Sequence, residues 1–102
     1  MTLTDASKKA REFEKQMANV YTLMDKSKAY FERTKQAVID LSISLGQSAT
    51  DLSEGLYQII SSFGDTENNM RILEAASKAA AAGLSDTKSA VDLLAAAIKG
   101  YN

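Results

Sequence analysis

Apolar residues recur along the first 45 residues of the chain in alternating steps of three and four, without a slip in register. Eleven of the thirteen positions in this series, which we call the seam, are apolar: Leu3, Ala6, Ala10, Phe13, Met17, Val20, Met24, Ser27, Phe31, Thr34, Val38, Leu41 and Leu45. Such a series is typical of a coiled coil or an antiparallel helical bundle. Neither glycine nor proline interrupts it. The pattern therefore favours one long helix, about 60 Å in length at ~1.5 Å per residue.

The weak point of this long helix is the segment from Leu23 to Lys28. Asp25 or Ser27 could cap a second helix there, because their side chains accept hydrogen bonds from the free N–H groups of a first turn. The alternative to one long helix is a hairpin of two helices, roughly 5–23 and 27–45.

The second half of the chain divides into three helix-sized blocks, each ending at a glycine. Gly46, Gly64, Gly83 and Gly100 each follow a run with helical periodicity, and glycine adopts the left-handed conformation just beyond a helix more cheaply than other residues. The blocks predict helices over 49–63, 66–82 and 86–99.

One glycine lies inside a predicted helix. Gly55 neighbours an apolar stripe formed by Leu52, Leu56, Ile59, Ile60 and Phe63. A glycine in a helix interior costs about 1 kcal/mol relative to alanine. Its position beside the stripe predicts close helix packing at Gly55.

These patterns predict an all-α protein, because no stretch alternates as a strand does. We expect a heptad-patterned helix or helical hairpin over 1–45, followed by an alanine-rich module of three short helices over 46–102. The net charge of −1 does not by itself imply nucleic acid as a partner. With no apolar run near the ~20 residues of a membrane span and no signal-peptide pattern, we expect a soluble, intracellular type of chain.

Composition also limits the chemistry. The chain has no cysteine and no histidine, which excludes disulfides, Cys/His zinc sites and triads that use either residue. Asp51 and Glu54 share a helix face, but their place in a first turn, where the helix dipole favours acids, explains them without catalysis. We expect no catalytic residue, metal or cofactor, and no enzymatic activity.

A long helix would be covered only in part by the three shorter ones. The uncovered seam would then meet another copy, as heptads commonly do. The residues expected to form this self-association seam are Phe13, Met17, Val20, Met24, Phe31, Val38, Leu41 and Leu45.

Five segments together resemble the core region of phage tail tape measure proteins. They are FEKQMANV (13–20), VIDLS (38–42), LGQSATDLSEGLYQIIS (45–61), LEAASKAAAAGLSDT (73–87) and AVDLLAAAIKGYN (90–102). The resemblance covers about residues 12–102, except for YTLMDKSKAY (21–30), which matches no motif. Tape measure proteins are far longer than this chain, so the resemblance suggests one module of a longer protein, or a prophage remnant.

The resemblance implies a structural role in a phage or prophage tail. Tape measure proteins run through the tail as extended helices and set its length while tail-tube subunits polymerise around them. The implied partners are further copies of this chain, tail-tube proteins and tail-assembly proteins, with no direct contact to nucleic acid or membrane. The implied location is the host bacterial cytoplasm during assembly and then the tail lumen. The alternative is a stand-alone helical protein–protein interaction module.

Overall fold

The computed structural model describes residues 3–83 and 87–100, with side chains for 7–83 and 87–96. Five helices occupy these ranges: α1 (Leu3–Leu23), α2 (Lys28–Leu45), α3 (Ala49–Phe63), α4 (Asn69–Ala81) and α5 (Thr87–Gly100). No strand occurs among the described residues. The predicted all-α class is confirmed.

The prediction of one unbroken helix over the first 45 residues is wrong, because α1 ends at Leu23 and α2 begins at Lys28. Ser27 has an extended backbone, and its side chain accepts a hydrogen bond from Tyr30 N–H. The N–H of Asp25 donates to a carboxylate oxygen of Asp65 at 2.9 Å. A local cap and a partner distant in sequence thus replace the hydrogen bonds of a continuous helix. The observed helix bounds match those of the hairpin alternative.

The glycine stops separate α2, α3 and α4. Gly46 is left-handed at φ 67°, and its N–H donates to Ser42 O. After it, Ser48 caps α3 by accepting from Asp51 N–H. The predicted bounds of α3 agree with the observed ones.

The fourth helix begins at Asn69, three residues later than predicted. The Asn69 side chain donates to Gly64 O at 2.8 Å and accepts from Thr66 Oγ1 at 2.9 Å. These bonds hold the preceding residues in a turn, which delays the helix. The predicted start of α5 at residue 86 lies outside the described residues.

The central element is α3, which packs against all four other helices. Phe13 in α1 lines a groove with Ser48 and Asp51 at the start of α3. Asp25, just beyond α1, meets Asp65, just beyond α3. The two helices therefore lie side by side and run in the same direction. The second helix packs on α3 and α4, and α5 packs on the same two.

A single cluster of buried side chains draws on every helix. Its members are Phe13, Met17, Val20, Phe31, Val38, Leu52, Leu56, Ile59, Ile60, Leu73, Ala76, Ala90 and Val91. The core is therefore continuous across the predicted boundary between residues 45 and 46.

Candidate interaction surfaces

The predicted self-association seam lies mostly inside the folded chain. Phe13, Met17, Val20, Phe31 and Val38 are buried in the core. Met24 and Leu41 are partly buried against it, and Leu45 is also partly exposed. The reason is the break after Leu23, which lets both halves of the seam pack on the apolar stripe of α3. In this structure the buried residues of the self-association seam belong to the core, and a second copy could reach them only if α1 or α2 moved.

The first turns of α1 project beyond this core. All side chains from Ser7 to Glu12 are exposed. Between this segment and the start of α3 lies an open groove, lined by Lys9, Ala10, Glu12, Phe13, Ser48, Ala49, Thr50, Asp51 and Glu54. Among the described side chains, none of the charged residues in the groove forms an ion pair. Ala10 is thus the exposed seam residue among the described side chains of α1.

Gly55 lies where three helices meet. A Cβ atom at this position would be 2.9 Å from Thr87 Cγ2 in α5 and 3.2 Å from Leu73 Cδ1 in α4. The first distance is shorter than real Cβ contacts allow, and Thr87 is itself buried. The absence of a side chain at Gly55 lets α3 approach its neighbours this closely.

Gln47, in the loop between α2 and α3, joins three elements that sequence analysis did not connect. Its amide nitrogen donates to Ser77 O in α4 at 2.8 Å. Its amide oxygen accepts from Thr87 Oγ1 in α5 at 3.2 Å, and its backbone carbonyl accepts from Ser42 Oγ in α2. The only sequence signal is its place between a glycine stop and a serine cap. Nothing local indicates its partners.

Asp65 makes a second set of long-range contacts that sequence analysis missed. In the structure its carboxylate accepts from Asp25 N–H and lies 3.6 Å from the Lys26 ammonium group. The Lys26 ammonium also donates to Asp65 O at 3.4 Å. Asp65, with its side chain only 9% exposed, therefore holds the α1–α2 connection against the α3–α4 connection.

Side chains link α1 to α2 directly. The rings of Tyr21 and Phe31 stack with centroids 4.5 Å apart. The Lys35 ammonium is 3.3 Å from Glu14 in α1 and 3.4 Å from Glu32 in its own helix. Burial lowers the pKa of Lys35, but hydrogen bonds and charge attraction from Glu14 and Glu32 outweigh that effect, so its pKa is raised. The order of these contacts shows that α1 and α2 run antiparallel.

Two large apolar side chains are prominent on the surface. Ile43 in α2 is 76% exposed and Leu93 in α5 is 74% exposed. Single exposed apolar residues are common on protein surfaces. These two therefore do not by themselves define an interface.

The described part of the chain holds no group of three or more acidic side chains placed to bind a metal ion. Within the same residues, no helix combines the length and apolar character needed to cross a bilayer. No protein-family model, curated protein or solved structure matches the chain. The residues and their packing are therefore the basis for any functional proposal.

Proposed function

We propose that the chain is a structural and assembly module of a phage or prophage tail, of the tape measure kind. The observation that supports this most is the position of residues 45–61, the longest segment of the resemblance. They comprise the end of α2, its glycine stop and nearly all of α3, the helix on which the other four pack. The residues that carry the resemblance are thus the organising element of the fold.

In this proposal the module works by binding and not by catalysis. It acts within a helical protein that templates tail-tube assembly and tail length. Its partners are tail-tube and tail-assembly proteins and further copies of itself, without direct binding to nucleic acid or membrane. It is present in the host bacterial cytoplasm during assembly and in the tail lumen afterwards.

The proposal is tested in the bacterium that carries the gene. A tagged chain is expressed at its native level, tail assembly is induced, and tail particles are separated from free protein. We expect the chain in the particle fraction, cross-linked to tail-tube subunits identified by mass spectrometry. Leu56→Glu, which places a charge in the core, is the matched control and should abolish incorporation. Tails of normal length that lack the chain would contradict the proposal.

A second candidate is a stand-alone helical interaction module. The observation in its favour is the closed core, to which all five helices contribute within one chain. For this function, a specific partner unrelated to tail components should be captured through the surface. Capture should then survive in cells that cannot assemble tails.

A further inference from the structure

We infer that the face of α1 that packs on α3 also binds α3 of a second copy of this chain. In that dimer, residues 24–27 straighten, α1 and α2 join into one helix, and the two copies exchange α1. This inference concerns the fold and does not rest on the proposed function.

The first observation is the register of the seam across the break. The steps Val20, Met24, Ser27 and Phe31 continue the alternation of three and four through the connection. Neither glycine nor proline lies between Leu3 and Leu45. A connection built only to turn the chain has no need of a helical register, whereas a segment that can also be helical requires one.

The second observation is how the bend is held. The turn depends on the Ser27 cap, the Asp65 carboxylate and the Lys26 ammonium group. Straightening removes these polar contacts and replaces them with backbone hydrogen bonds of a continuous helix. Because each freed backbone N–H gains a helical partner, and only the Lys26–Asp65 ion pair is lost without a replacement, the bent and straight forms can compete.

The third observation is that α1 is attached mainly through α3, the most extensive helix pair in the structure. The residues that α1 buries in the shared core are Phe13, Met17 and Val20. An exchanged α1 would make the same contact with α3 of the other copy. The Tyr21–Phe31 stack and the Glu14–Lys35 ion pair would also re-form between copies. Exchange of an identical element is a low-cost route to a dimer, since it creates little new interface.

The position of Lys28 allows the bent and straight forms to be separated. It is exposed and is the first residue of α2, directly after the extended Ser27. Proline is tolerated at a first helical position and prefers an extended residue before it. The same proline inside a continuous helix would lose a backbone hydrogen bond and clash with the preceding turn. Lys28→Pro is therefore compatible with the monomer and opposed to the exchanged dimer.

The experiment refolds the full chain at low and high concentration and measures mass by sedimentation. We expect a dimer fraction that grows with refolding concentration. Lys28→Pro should lower the dimer association constant by more than about 100-fold, the equivalent of a proline inside a helix. Lys28→Ala is the matched control, because it removes the same side chain and keeps the backbone N–H that a continuous helix uses. It should dimerise like the parent chain, and melting curves of both variants check that they fold.

Cross-linking distinguishes exchange from simple association. The chain has no cysteine, so Ala10→Cys and Thr50→Cys place single thiols on the α1 and α3 walls of the groove. Each variant carries one of them, and the two are refolded together and treated with a short bismaleimide. We expect a covalent dimer containing one copy of each variant. Replacing the first variant by Ala18→Cys, which is exposed on α1 outside the groove, should give much less.

Three results would overturn the inference. The first is a monomer at every refolding concentration. The second is dimerisation of Lys28→Pro equal to that of the parent chain. The third is a dimer that gives no cross-link between Ala10→Cys and Thr50→Cys, since such a dimer associates without exchanging α1.

Discussion

At the scale of single residues, the closest packing is at Gly55. Replacing it with alanine has two opposing effects: better helix propensity gains about 1 kcal/mol, and overpacking costs about 1–3 kcal/mol. A Cβ atom 2.9 Å from Thr87 Cγ2 cannot be relieved by simple rotation of Thr87, because the Thr87 hydroxyl donates to Gln47. The net expectation is that Gly55→Ala lowers the free energy of unfolding by up to about 2 kcal/mol, measured by urea denaturation.

The control for this prediction is Thr87→Ser, which removes Cγ2 and keeps the hydroxyl. In the Thr87→Ser background, Gly55→Ala should become neutral or stabilising, by up to ~1 kcal/mol. The difference between the two backgrounds measures the contact directly. If Gly55→Ala instead raises the melting temperature of the parent chain, the close approach does not limit stability.

Residues differ in how far their roles can be predicted from sequence. Ser27 and Ser48 act on N–H groups three residues away, so local chemistry predicts them as caps. Gln47 and Asp65 act on partners 30 to 40 residues away. Periodicity and capping rules carry no information over that distance. Sequence analysis therefore missed both.

At the scale of helices, the bend after α1 depends on the contact of Asp65 with Asp25 and Lys26. Asp65→Ala removes a charged acceptor from the Asp25 N–H and should destabilise the chain by about 1–2 kcal/mol. Asp65→Asn keeps an acceptor oxygen and should lose less. Thermal melting of the variants checks this order. Asp40→Ala is the control, since the hydrogen bond that Asp40 makes among the described residues lies within its own helix, to Gln36. If Asp65→Ala and Asp40→Ala destabilise the chain equally, the contacts of Asp65 with Asp25 and Lys26 contribute nothing to stability.

The ion pairs of Lys35 give a pH-dependent link between α1 and α2. Because its folded-state pKa is raised above the ordinary 10.5, the stabilisation is fully present below that pH. It is lost as pH rises through the raised folded-state value. The side chains are partly exposed to solvent, so we expect less than about 1 kcal/mol. The difference in unfolding free energy between the parent chain and Lys35→Met should shrink above pH 10.5.

Comparison with a pair inside one helix separates linkage from general effects of alkaline pH. Lys78 pairs with Glu74 at 3.1 Å within α4, and Lys78→Met serves as the control. General effects of alkaline pH act on every variant and cancel in the comparison. If the difference in unfolding free energy between the parent chain and Lys35→Met stays constant above pH 10.5, Lys35 does not provide a pH-dependent link between α1 and α2.

The bend also shows why helix bounds were predictable while continuity was not. The seam supports a helix equally well with or without an interruption, because register is preserved on both sides. The deciding contact comes from Asp65, which lies beyond α3. The local pattern therefore predicted that a second helix could begin at Ser27. It could not decide between that second helix and one continuous helix.

At the scale of the whole molecule, composition and periodicity were sufficient for the all-α class and for the order of the helices. They did not predict that α3 would lie between the two halves of the seam. That arrangement depends on which apolar faces pack together. The sequence allows the seam to be buried in two ways, against α3 or against another copy. The structure adopts the first.

The shared core leads to a prediction about the two segments proposed from sequence, 1–45 and 46–102. In the full chain, α3 buries Leu52, Leu56 and Ile59 completely or nearly so, and it does so by packing on α1 and α2 as well as α4 and α5. A chain of residues 46–102 alone keeps only the α4 and α5 side of this contact. It also falls in the size range where a single core gives little stability.

We expect the 46–102 chain to show weak helicity and no cooperative melting by circular dichroism, whereas the full chain melts in one transition. Adding residues 1–45 as a separate chain should restore the transition, because the missing face of α3 is then covered. Cooperative melting of 46–102 alone, near the melting temperature of the full chain, would instead establish it as an independent domain.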